Sequence, residues 1–427
     1  FVFFPKTTYL GAKVLHFFDI CKLFIHLLFR DCNSCQKQGF TLAERKIIFL
    51  KEKLPFNLRI CKKYSTFATK TNYPFFGAIS SSKKSMSISF WIKNSRSVSL
   101  PQSALPCLTA MVLCIGQDGF VWWLTLPVLL GVCAVHLGVN LADDYFDYQH
   151  DTRTRANIQS TSVRARMEKC HYLVEGEGKA TISQLGWAIV CFFAFAASMG
   201  AIAFVAQWLL HGWQAAVGII IYATLGLFMG INYAGKPLEL GYHGLGELVV
   251  GTMFGPLLML GVQTALTGSP FSWQMLCMSI GIGCMVTNIV YVHSVMEVDA
   301  DAELGKMTFA RLLKNKAAMI VFIGLFALMP FVMLALGISM GWWSPWYLLT
   351  IATLPMSVFL IHSTRLFAYG LPRNDTPRWW MGPMGNWEGY KKVGMDWFLF
   401  RWLLARNICT FFCLILMIVH IALRIFG

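Results

Sequence analysis

What this chain has least of is charge. Only 13% of its 427 residues are Asp, Glu, Lys or Arg, against 56% hydrophobic residues and a mean hydropathy of +0.56. A water-soluble fold of this size needs more polar surface than that. Strands of alternating polarity are missing too, which excludes a membrane barrel. What remains are apolar runs, each near the ~20 residues that cross a bilayer as a helix. In lipid the helix bonds all its backbone groups internally. The expected fold class is therefore all-α: a polytopic membrane protein with about nine transmembrane helices in one bundle.

Two further absences bear on organisation. The 13 cysteines build no framework. Cys32 and Cys35 form a lone CxxC without a partner pair at zinc spacing, and Cys191, Cys277 and Cys413 sit in apolar runs as small hydrophobes. Methionine is absent from residues 1–85, although the chain has 21. The same segment carries 15 Lys and Arg against four Asp and Glu, so most of the net +15 is local. The rest carries 21 against 17, which argues against a nucleic-acid binder. Residues 1–85 show no clean helical or strand period, and Lys dominates where a transit peptide would be rich in Arg and Ser. They read as a non-native N-terminal extension, upstream sequence translated in frame. The transmembrane domain is expected over residues 86–427.

The nine spans fall near 101–116, 120–141, 184–207, 213–233, 245–263, 274–296, 317–338, 346–369 and 399–425. Connections after the odd-numbered spans are short and hold no Lys or Arg. Those after the second, sixth and eighth carry six, four and five basic residues, and Lys236 sits in the fourth-to-fifth turn. By the positive-inside rule these even-numbered connections face the cytoplasm, as do Lys93 and Arg96 before the first span. Trp122, Trp346 and Trp379 fall near the interfaces, where an aromatic belt accounts for them.

Two acidic clusters stand out. At the end of the second span, Asn140, Asp143 or Asp144, Asp147 and Asp151 share one helical face. Carboxylates at such spacing repel one another. At the mouth of a membrane bundle they call for a cation, and clustered oxygens suit Mg²⁺, which binds carboxylates together with substrate phosphates. A solvated acidic helix end is the plainer reading, but no Lys or Arg occurs from 118 to 152 to neutralise it. The second cluster, Glu297, Asp299, Asp301 and Glu303, follows the sixth span, with Glu297 and Asp301 at i and i+4. Both clusters fall on the expected cytoplasmic side, which suggests a metal-bridged diphosphate held between them. Arg96, Arg164, Arg166, Lys169 and Lys306 are the basic groups available for phosphate oxygens.

These residues carry a resemblance. Asp143-Asp144-xx-Asp147-xxx-Asp151 is similar to the NDxxDxxxD motif of the UbiA-type membrane prenyltransferases, with Asp in the Asn position. Glu297-xxx-Asp301-xxx-Gly305-Lys306-x-Thr308 resembles their second motif and its Gly-Lys-x-Thr sequel. Residues 235–247, Phe254-Gly255-Pro256 and the stretch from Trp91 to Pro101 resemble the branch that prenylates 1,4-dihydroxy-2-naphthoate for menaquinone. Two further positions depart: the family usually has Asp where Glu297 stands and Arg where Met296 stands.

The resemblance implies transfer of a polyprenyl group from polyprenyl diphosphate to a small aromatic acceptor. A bacterial inner membrane is expected, with the mouth on the cytoplasmic side by the positive-inside rule. It implies Mg²⁺ ligands among Asp143, Asp144, Asp147, Asp151, Glu297 and Asp301. Diphosphate contacts would come from Arg96, Arg166, Lys169 and Lys306, and acceptor contacts from Asn140 and Tyr145. Asp301 or Glu297 would take the acceptor's phenolic proton. Homogentisate, chlorophyll-type, haem-type and lipid-ether acceptors are the alternatives. A secondary transporter is the rival class, but it needs ionisable residues near the midplane. Apart from His136 and His362, the spans offer almost none.

Overall fold

The computed structural model describes residues 86–150, 170–174, 180–303 and 306–426. The expectation for residues 1–85 lies outside the described residues. Among the described residues, after a short helix, Ile88–Asn94, nine principal helices follow: α1 Pro101–Leu113, α2 Thr125–His150, α3 Ile182–His211, α4 Trp213–Ala234, α5 Gly246–Thr267, α6 Trp273–Met296, α7 Lys316–Ser339, α8 Pro345–Ala368 and α9 Asp396–Phe426. Among the described residues, α2 to α9 are long and apolar enough to cross a membrane. α1 has 13 residues, about 20 Å of helix, short of a ~30 Å hydrocarbon core. The first expected span is thus a partial one.

Local chemistry sets the helix limits. Pro101 occupies the first turn of α1, where its missing N–H costs nothing. Thr181 and Gln184 form a capping box at the start of α3. Ser272 and Asn315 cap α6 and α7 with side-chain oxygens. Gly268 ends α5 with a left-handed φ of 72°.

α6 is the central helix, packed by α7, α9 and α5. Its contact with α5 depends on glycine: a Cβ added at Gly255 would lie 2.7 Å from the Gly283 Cα and 2.5 Å from the Ser279 carbonyl oxygen. The same stretch of α5, Met253–Leu257, is a π turn containing Pro256. α2 lies mainly against α3. Consecutive spans run in opposite directions, so the C-terminal ends of α2, α4, α6 and α8 share one end of the bundle. The 27-residue connection from α8 to α9 folds over that end. It is tied down by fully buried Arg401, which holds Asp375 at 2.7 and 3.2 Å, and by Asn407, which donates to the carbonyls of Met381 and Pro383.

Candidate functional site

The last turns of α2 carry the first acidic motif, and the residues just before α1 lie against them. Arg96 adopts a left-handed φ of 55° as the chain turns between the short helix and α1. Its guanidinium reaches Asp143 at 2.8 Å and Asp144 at 3.4 Å, and donates to the Asn140 carbonyl at 2.8 Å. The Asn140 amide donates in turn to the Ser95 carbonyl at 2.9 Å and to Ser99 Oγ at 3.3 Å. Asp144 is fully buried, and Tyr172 donates to its carboxylate at 3.0 Å. Burial opposes the charge on Arg96, but Asp144 and Asp143 outweigh it and hold the guanidinium well above the ordinary arginine value. Burial, and then the charge of Asp144, push the Tyr172 phenol upward, so it stays a donor. Arg96 therefore offsets part of the repulsion within the motif, in addition to any cation.

The second motif closes α6. His293 Nε2 lies 3.2 Å from Glu297 Oε2, and the His293 ring meets Phe398 of α9 edge-on at 5.2 Å. Asp301 stands on the short helix Val298–Glu303, with its side chain buried and its carbonyl accepting from Lys306 N at 2.9 Å and from Arg311 at 3.2 Å.

The connection between α4 and α5 touches both motifs. Tyr242 donates to the Asp147 carboxylate, and two residues on, Gly244 N donates to the Met307 carbonyl at 2.9 Å. His243 and Met307 form an isolated bridge. Glu247 accepts from Phe309 N with both oxygens at 3.2 Å. The two acidic helix ends thus meet at one end of the bundle, on either side of a shared loop.

Of the expected site residues, Asn140, Asp143, Asp144 and Asp147 gather around Arg96 and Tyr242, while Glu297, Asp301 and Lys306 gather around the turn after α6. Tyr145 packs against the cluster containing Leu141 and Tyr172. Asp151, Arg166 and Lys169 lie outside the described residues. Tyr172, Tyr242 and Glu247 enter from structure. Tyr242 and Glu247 lie in the 235–247 stretch that carried the resemblance, but nothing local marks Tyr172.

The donor set suits a hard cation. Among the described residues no three His, Cys, Asp or Glu side chains converge as ligands. A cation here would be held by one or two carboxylates from each motif, with phosphate oxygens and water completing the shell, which is the manner of Mg²⁺.

Below the motifs lies a cavity of about 590 Å³ between α2, α3, α4 and α5. Its α2 wall runs from Pro127 to Asn140, about 20 Å along the helix. Its lining is mostly apolar, and Ala197, Ala201 and Ala223 at its edge are exposed on the lipid-facing side. Its upper end, at His136 and Asn140, lies one turn from Asp143.

Comparison with known proteins finds similar chains among prenyltransferases. The chain is 26% identical over 268 residues to the 1,4-dihydroxy-2-naphthoate octaprenyltransferase of Mycobacterium tuberculosis, covering 63% of this chain and 83% of that one. It is 28% identical to the 2-carboxy-1,4-naphthoquinone phytyltransferase of Synechocystis, covering 55% and 68% of the two chains. It is 26% identical to the 1,4-dihydroxy-2-naphthoate octaprenyltransferase of Bacillus subtilis, covering 66% and 84%. The model of the UbiA prenyltransferase family matches residues 103–381, and the chain is a membrane prenyltransferase that belongs to this family.

Proposed function

We propose that the enzyme transfers a polyprenyl group from polyprenyl diphosphate to an aromatic acceptor, and that the acceptor is 1,4-dihydroxy-2-naphthoate, as in menaquinone biosynthesis. One observation carries the reading: two carboxylate motifs flank a single loop at the mouth of a long apolar cavity. Three similar proteins named for naphthoate or naphthoquinone prenylation support the acceptor class.

Members of the family generally depend on a divalent metal. The metal proposed is Mg²⁺, with Asp143, Asp147, Glu297 and Asp301 as its protein ligands, and its chemistry when bound is to neutralise the leaving diphosphate. Lys306 and Arg96 are proposed to meet phosphate oxygens, with Arg166 and Lys169 as further contacts. Glu297 or Asp301 takes the phenolic proton of the acceptor as its ring carbon attacks. The cavity below His136 houses the prenyl tail and keeps water from the reactive allylic carbon. The mouth is proposed to face the cytoplasm of a bacterial inner membrane, following the distribution of Lys and Arg.

The test is a lipid-quinone profile of cells lacking the gene. Loss of menaquinone, restored by the wild-type gene, is expected. An unchanged menaquinone pool would overturn the acceptor assignment.

A further inference from the structure

His136 is a cavity residue that the proposed chemistry leaves without a task. It lies on α2 one turn before Asn140, lines the upper end of the cavity and is 5% exposed. Its Nε2 lies 2.9 Å from Ser99 Oγ. Ser99 has one proton to give, and its Oγ donates that proton to the Arg96 carbonyl at 2.8 Å. Toward His136, Ser99 therefore accepts, so Nε2 carries the hydrogen. An imidazolium would leave a second buried N–H without a partner, so the ring is neutral. Its Nδ1 is then a bare acceptor, and that atom is buried without a hydrogen-bond partner. Leaving such an atom unpaired costs stability, and a site that keeps one is poised to receive a donor.

The surroundings define that donor. Phe254 lies beside His136, with ring centroids 5.3 Å apart and the planes 30° from parallel. Both rings line the cavity, whose lining is mostly apolar. Phe254 belongs to the π turn of α5, where the helical ladder is already interrupted. A flat, apolar ring bearing a hydroxyl group fits such a surface.

We infer that His136 Nδ1 accepts a hydrogen bond from a hydroxyl of the aromatic acceptor and so orients its ring beneath the first acidic motif. The inference rests on the aromatic-acceptor reading above. Nδ1 is closed to solvent in the free protein, and Phe254 is the neighbour that shifts to admit the hydroxyl. His136 is a positioning residue with a defined role in specificity: it selects a free hydroxyl over an ether.

The experiment uses the full chain in lipid nanodiscs and measures equilibrium binding before turnover. The probes are 1,4-dihydroxy-2-naphthoate and its dimethyl ether. Wild-type protein is expected to bind the dihydroxy compound about tenfold more tightly, the ratio one hydrogen bond sustains. His136→Leu should lose that preference, and His136→Gln, which keeps an acceptor, should recover most of it. In turnover, His136→Leu should raise KM for the acceptor about tenfold and leave KM for polyprenyl diphosphate within about twofold. Equal binding of the two probes by wild type, or an unchanged preference in His136→Leu, overturns the inference. A dihydroxy preference that depends on His136, without prenyl transfer, would uphold the inference and overturn the proposed reaction instead.

Discussion

Replacing Asp375 with Ala should destabilise the protein by about 3–5 kcal/mol, the range found when one partner of a buried ion pair is removed. Arg401 is 0% exposed, and the Asp375 side chain is 14% exposed, so water screens the pair little. The guanidinium gives two bonds to the carboxylate, at 2.7 and 3.2 Å, and two more to the carbonyls of Trp397 at 2.7 Å and Ser363 at 3.2 Å. Phe367 lies 4.9 Å from its centre. Without Asp375 these neutral partners remain, and the buried charge has no counter-ion. Adding Arg401→Met removes the charge as well, so the double variant should recover at least ~2 kcal/mol relative to Asp375→Ala. Unfolding of detergent-solubilised protein in denaturant, followed by tryptophan fluorescence, measures all three proteins. Trp397 stacks on Phe367 at 5.4 Å and reports this region directly. Activity should fall further than the unfolded fraction explains, because Phe398 buttresses His293, the partner of Glu297. A loss below ~1 kcal/mol in Asp375→Ala, or a double variant no more stable than the single, would refute the reasoning.

Asp147→Ala and Asp301→Ala should each lower prenyl transfer by about 100-fold, with helix content retained, and the loss should resist saturating polyprenyl diphosphate; full activity in either would sink the two-motif site. Glu297→Asp shortens the arm but keeps the carboxylate, so a purified-enzyme assay should find partial activity and a raised Mg²⁺ requirement. Arg96→Met leaves Asp143 and Asp144 without their cation and should lower stability by about 3 kcal/mol, with Arg96→Lys intermediate because it replaces a fork with a point charge; equal stability of all three proteins in denaturant titration would contradict the arrangement around Arg96. A cysteine placed at Asn315, in the α6–α7 connection, should react with a membrane-impermeant thiol reagent only after the cytoplasmic side is opened, and labelling from outside intact cells would reverse the orientation.

The membrane class, the helices and the two acidic faces were legible in the sequence, because hydropathy and helical period are local properties. The spans expected near 346–369 and 399–425 differ from α8 and α9 by only a few residues at each end. The reach of α1 was less legible: the apolar stretch continues past Leu113, but the backbone leaves the helix there. Tertiary structure decided how the carboxylates are used. Arg96 and Asp143 are 47 residues apart, and Tyr242 and Asp147 are 95 apart, so no spacing rule links them. Asp143 and Asp144 are neighbours in sequence, yet Tyr172 donates to Asp144 while Asp143 takes the shorter contact with Arg96, at 2.8 Å. The bare nitrogen of His136 is also a product of folding, since the tautomer is set by what Ser99 does with its proton. Sequence determines which groups a helix presents; which of them are neutralised, buried or left seeking a partner depends on elements that only packing brings together.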